Sequence, residues 1–217
     1  MSRPQEGQLP KKYLLRGLYA ITDSALIPSA RLGDQVEQAL RGGATVIQYR
    51  DKSDDKIRRE REVQVLLKLC RTHRVPLIIN DDIELAQRSG ADGVHLGCED
   101  ETIAHARERL GVEAVIGVSC YNSLERALSA EAAGADYIAL GAFFASRTKP
   151  DAVTASVDLL RESKARLKIP VAAIGGIDPE EGAILVEAGA DMLAVVHGVF
   201  AQPDSFAAAQ NYARLFE

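Results

Sequence analysis

At 217 residues, with 47% hydrophobic and 26% charged side chains, the chain has room for one large domain and the composition of a soluble globular protein. Its 31 acidic and 26 basic residues give a net charge of −5, which excludes a nucleic-acid binder driven by bulk positive charge and leaves room only for a local cationic pocket. No apolar run approaches the roughly 18–20 residues of a membrane helix, and the polar first dozen residues lack the apolar core of a secretion signal.

Residues 1–12 read as a flexible tail, followed by a single domain over 13–217. Apolar, strand-like runs fall at 17–21, 44–49, 77–79, 93–96, 114–118, 137–140, 171–174 and 193–196. Apolar spacing of about 3.6 residues predicts helices between them, for example over 57–70 and 180–187. Such alternation means parallel strands with helical crossovers. Every second run opens with one grammar: "GGATVIQYR", "SGADGVHLG", "AGADYIALG" and "AGADMLAVV". In these, Gly43, Gly90, Gly134 and Gly189 end a helix and need left-handed backbone angles. The echo recurs at about two units of a compact (β/α)8 barrel, whose alternate strands fill the interior layers together. An open doubly wound sheet has no reason for eight units, and no GxGxxG fingerprint follows the first run. The expected fold is α/β, a (β/α)8 TIM barrel.

Active sites of such barrels lie at the carboxyl ends of the strands. Reading those ends in order gives Thr22 and Asp23, then Gln48, Arg50 and Lys52, then Asn80, Asp81 and Asp82, then Glu99 and Asp100. Ser119 follows the fifth run, and the sixth leads to Ser146, Arg147, Thr148 and Lys149. Gly175 and Gly176 follow the seventh, and His197 and Gly198 the eighth. Side chains alternate along a strand, so Gln48, Arg50 and Lys52 share one face while Tyr49 and Asp51 share the other. An inward Arg and Lys are too costly to desolvate unless they meet anions. A planar guanidinium fork beside an ammonium point charge suits phosphate, a solvated strand end being the plainer alternative. Asp81 and Asp100 close adjacent strands, and two carboxylates with waters and a substrate phosphate suit Mg2+. Asp82, Glu99 and also Asp100 would equally suit helix starts. The "IGGI" turn after the seventh run has the form of a second anion site built from backbone amides, although a Gly-Gly turn is often structural. His95, inside the fourth run, reads as a hydrogen-bonded core residue, and His73 and His105 as helix-surface residues. Cys70, Cys98 and Cys120 form no ligand spacing and read as small buried residues in a reduced, cytoplasmic compartment.

The segments "GLYAITD", "IQYRDK", "LIINDD", "GADGVHLGCED", "IGVS", "GADYIALGAFFASRTK", "IPVAAIGGI" and "GADMLAVVHGVF" stand in the order seen in the thiamine-phosphate synthase family, which the chain resembles over about residues 16–201. The resemblance implies a transferase on a (β/α)8 barrel. It would join a hydroxymethylpyrimidine diphosphate to a hydroxyethylthiazole phosphate, giving thiamine phosphate and pyrophosphate with Mg2+. It also implies that Gln48, Arg50, Lys52 and Asn80 hold the pyrimidine diphosphate and that Asp81 and Asp100 bind Mg2+. Ser119 and Lys149 would touch the diphosphate or the reacting methylene, making Arg50, Lys52, Ser119 and Lys149 the catalytic set. Ser146, Arg147, Thr148, Gly176, Val196 and His197 would surround the thiazole phosphate. The implied displacement is dissociative, with no protein nucleophile.

Cys98 stands where the family commonly has glutamine, Cys120-Tyr121 where it has threonine-histidine, and Ser146 and His197 where it has threonine and serine. One rival is the related thiazole tautomerase, which has less use for the QxRxK run and the paired aspartates, and Tyr121 removes a histidine candidate for its proton transfer. Another is a non-catalytic binding protein for thiamine-pathway phosphates. The polar stretch "FFASRTKPDAVTA" reads as a lid. Expected partners are small phosphate substrates, without nucleic acid or membrane, and a homo-oligomer is left open.

Overall fold

Residues 13–97, 102–145 and 154–217 are described by a computed structural model. Eight parallel strands close into a barrel in chain order. They are β1 (Gly17–Ile21), β2 (Ala44–Tyr49), β3 (Leu77–Asn80), β4 (Gly93–Leu96), β5 (Val115–Tyr121), β6 (Tyr137–Gly141), β7 (Val171–Ile174) and β8 (Met192–Val195). Around them lie α1 (Ser29–Arg41), α2 (Lys56–His73), α3 (Ile83–Ser89), α4 (Ile103–Leu110), α5 (Leu124–Ala132), α6 (Val157–Arg166), α7 (Pro179–Glu187), α8 (His197–Phe200) and α9 (Ser205–Ala213). The expected TIM barrel is therefore the observed one. Its strands are short, β-branched and buried on both faces, as parallel strands covered by helices must be. The tail at 1–12 lies outside the described residues. Among the described residues, no helix is long and apolar enough to cross a membrane.

Two local expectations need correction. β5 runs to Tyr121, so Ser119 lies within the strand rather than after it, beside a break in the β5–β6 register. α4 takes its N-cap from Thr102, whose hydroxyl accepts the His105 amide at 3.2 Å, and Glu99 and Asp100, read as suited to a helix start, lie outside the described residues. His197 opens the short helix α8 instead of trailing a strand. Asp82 does cap α3, accepting the Leu85 amide at 2.7 Å.

The core has two layers. Leu18, Ile47, Ile79 and Leu193 pack outward against the helices. Tyr19, Val46, Ile78, Tyr137, Ala172 and Met192 fill the barrel interior, drawn from odd and even strands alike. The even-strand echo therefore does not arise from interior filling. Its glycines do adopt positive φ, at 101°, 70°, 93° and 104° for Gly43, Gly90, Gly134 and Gly189. Its aspartates stitch the foot of the barrel. Asp92 accepts the Leu77 amide at 3.0 Å, Asp136 the Ile116 amide at 2.8 Å, and Asp191 the Val171 amide at 2.7 Å. β4, β6 and β8 thus each satisfy an amide of the odd strand before them, whereas the segment leading into β2 has no aspartate.

Candidate active site

The opposite end of the barrel opens into a cavity of about 850 Å³. Gln48, Arg50, Asn80, Ser119, Gly176, Val196 and His197 all line it. The two cations after β2 do meet anions, and both anions belong to the protein. Arg50 Nη1 lies 2.8 Å from Asp23 Oδ2, and the Arg50 amide donates to Thr22 Oγ1 at 3.0 Å. Lys52 Nζ pairs with Asp81 Oδ2. The Arg50 side chain is one-fifth exposed, whereas that of Lys52 is 61% exposed and does not line the cavity. The shared face expected of Gln48, Arg50 and Lys52 therefore holds for the first two. β2 ends at Tyr49, so strand alternation no longer dictates the direction of Lys52.

The other face of β2 is structural. Tyr49 donates to Glu62 at 2.6 Å, and Arg58 donates to the buried Asp51 carboxylate at 2.6 Å. Burial works to raise the Asp51 pKa, but hydrogen bonds from the Ser53 amide, Ser24 and Arg58 outweigh it and hold the group at about 2.

Asp81 adopts φ +61°, a left-handed conformation that Asp tolerates better than most residues. Its amide donates to the His95 carbonyl at 2.9 Å, and Asn80 Nδ2 donates to its Oδ2 at 2.5 Å. β3 therefore ends in a carboxylate held by Lys52 and Asn80 together. Strained residues of this sort gather at functional sites. Tyr121, at φ +55°, also lines the cavity.

Across the mouth the wall is different in kind. Gly175 and Gly176 adopt φ of +105° and +66°, and a Cβ on Gly176 would sit 2.3 Å from the Ala145 carbonyl oxygen. Only glycine lets these two loops approach so closely. Ala155 donates its amide to the Ala142 carbonyl at 2.7 Å, closing the base of the loop expected to act as a lid. Cys98, Glu99, Asp100, Ser146, Arg147, Thr148 and Lys149 lie outside the described residues.

A family model described as thiamine monophosphate synthase matches residues 18–199. The chain belongs to that family. A thiamine-phosphate synthase of Nitrosococcus oceani is 52% identical over 202 residues, covering 93% of each chain. One from Thioalkalivibrio sulfidiphilus is 52% identical over 203 residues, covering 94% of this chain and 96% of its own. Among solved structures, the thiamine phosphate pyrophosphorylase of Pyrococcus furiosus superposes with a TM-score of 0.84 at 35% identity, covering 93% of this chain and 95% of that one. 3-Hexulose-6-phosphate synthase, at 15% identity and a TM-score of 0.69, shares the fold alone. Membership of the thiamine monophosphate synthase family makes the chain a transferase, as the resemblance implied.

Sequence reasoning missed one feature of this family member's interior. His95 is buried as expected, but it also lines the cavity and joins Ser119 to two buried tyrosines, Tyr19 and Tyr137. The available signal was the two tyrosines inside strand runs, because a buried phenol needs a partner.

Proposed function

We propose that the chain makes thiamine phosphate by dissociative displacement at this mouth, with the pyrimidine diphosphate over β2–β5 and the thiazole phosphate over β6–β8. The observation that supports this most is the convergence of Arg50, Lys52, Asn80 and Asp81 from two strand ends beside one cavity. Arg50 and Lys52 neutralise the growing charge of the leaving pyrophosphate, and Lys149 joins them from the loop after β6. Ser119 donates a hydrogen bond to the diphosphate or near the reacting methylene. The electron-rich aminopyrimidine carries the resulting cation, and Gln48 and Asn80 hold its ring. Gly176, Val196 and His197 place the thiazole phosphate, with Ser146, Arg147 and Thr148, so that the thiazole nitrogen is already in line. No protein nucleophile takes part.

Mg2+ fits the chemistry of the one candidate ligand that is described. Asp81 offers a hard oxygen donor at the mouth, half-buried and steered by Asn80. Asp81 with Asp100 would hold the ion, which when bound supplies positive charge against the departing pyrophosphate. The test is to incubate the purified chain with both substrates and Mg2+ and follow pyrophosphate. Release that requires both substrates and the metal is expected. Binding without release would indicate a sensor, and turnover of a thiazole carboxylate alone a tautomerase.

A further inference from the structure

Five side chains from five strands form one continuous hydrogen-bonded line across the barrel, just beneath the mouth. Gln48 Nε2 donates to Tyr19 Oη at 2.5 Å, and Tyr19 Oη lies 2.7 Å from Tyr137 Oη. Tyr137 Oη lies 2.9 Å from His95 Nδ1, and His95 Nε2 lies 2.9 Å from Ser119 Oγ. Gln48, Tyr19, Tyr137 and His95 are all buried, while Ser119 lines the cavity at the end of the line. Room for the Tyr137 ring comes from Gly117, where a Cβ would fall 2.0 Å from the ring.

Counting hydrogens fixes the direction of the line. An amide nitrogen only donates, so Tyr19 Oη accepts from Gln48 and passes its single hydrogen to Tyr137. Tyr137 passes its own to His95 Nδ1. An imidazole whose Nδ1 accepts carries its hydrogen on Nε2 and donates from there to Ser119 Oγ. The Ser119 hydrogen is then left over and is directed to the cavity. Running the line backwards would set the Tyr19 hydrogen against the Gln48 amide hydrogens in a buried place, unless that amide turned its oxygen toward the phenol. Burial pushes both phenols well above their ordinary pKa, so each keeps the hydrogen that this count requires.

We propose that His95 is a positioning residue, held as the Nε2–H tautomer by the Gln48–Tyr19–Tyr137 line so that Ser119 always accepts from His95 and donates into the cavity. The consequence for catalysis rests on the synthase reading of Ser119, and the tautomer itself does not. Nitrogen NMR of the full chain should show an unprotonated Nδ1 on His95, and a hydrogen on Nδ1 would overturn the proposal. Tyr137→Phe should release that preference while the chain stays folded. In turnover, Tyr137→Phe and His95→Leu should lower kcat about tenfold with KM little changed, the scale of one lost hydrogen bond. His95→Gln, whose amide nitrogen reaches where Nε2 lies, should recover most of the loss, and His95→Asn should not. In a Ser119→Ala background, Tyr137→Phe should add nothing, because both act through one hydroxyl. Full additivity there would sink the positioning role. If the wild-type chain released no pyrophosphate, the synthase reading would fall while the NMR arm still judged the line.

Discussion

The two ends of the barrel use aspartate in different ways. At the foot, Asp92, Asp136 and Asp191 sit at equivalent places in a repeated motif and accept backbone amides of neighbouring strands. At the mouth, Asp23 and Asp81 follow no repeat: Asp23 pairs with Arg50 and accepts the Ala25 amide of its own loop at 2.9 Å, and Asp81 pairs with Lys52. Repetition at the foot reflects a need that three of the strand pairs share. The singular arrangement at the mouth reflects a need that the fold does not have. A carboxylate that recurs with the architecture belongs to stability, and one that breaks the pattern is a candidate for chemistry.

That contrast can be broken by substitution. The largest effect is expected for Asp81→Ala, which should cost about 10²-fold or more in turnover while leaving the thermal midpoint nearly unchanged. Near-normal rates at limiting Mg2+ would move Asp81 to the structural class. Gly176→Ala comes next. Its Cβ has no room beside Ala145, so thiazole phosphate affinity should fall about tenfold or more, read as KM for that substrate alone. Arg50→Gln should weaken diphosphate binding by about tenfold, measured by titration with pyrophosphate.

At the foot the signs reverse. Asp136→Ala strands the Ile116 amide and Arg107, which donates to the same carboxylate at 2.7 Å. It should cost about 2 kcal/mol of stability and about 5 °C of midpoint, with kcat intact at low temperature. The smallest effect concerns Asp51. Its pKa in the folded chain lies below the ordinary 3.8, so its stabilising contribution is fully present above about pH 4 and is lost as pH falls toward about 2. Acid unfolding of Asp51→Asn compared with the parent should show this window, and identical curves would dismiss it.

Much of this was legible in the sequence because it is local. Continuous apolar runs and 3.6-residue spacing gave the strands and helices, and the positive-φ glycines gave the turns. The carboxyl-end census named Gln48, Arg50, Asn80, Ser119, Gly176 and His197, and the family resemblance added Val196; all of them line one cavity. The partners were not legible. Asp23 and Arg50 are 27 residues apart, Lys52 and Asp81 are 29 apart, and Tyr19 and Tyr137 are 118 apart. Local propensity carries no trace of such pairings, which appear only when the barrel closes.

The Lys52–Asp81 pair has one more consequence. An incoming anion must win Lys52 away from a tethered competitor, the Asp81 carboxylate. Once it does, the Asp81 carboxylate, still held by Asn80, has given up that cation, and under the proposed function a divalent cation would take its place. The trade runs equally well in the other order, so each guest should tighten the other's hold by the same factor. Loading of this site is then a swap of partners in which neither newcomer settles well alone.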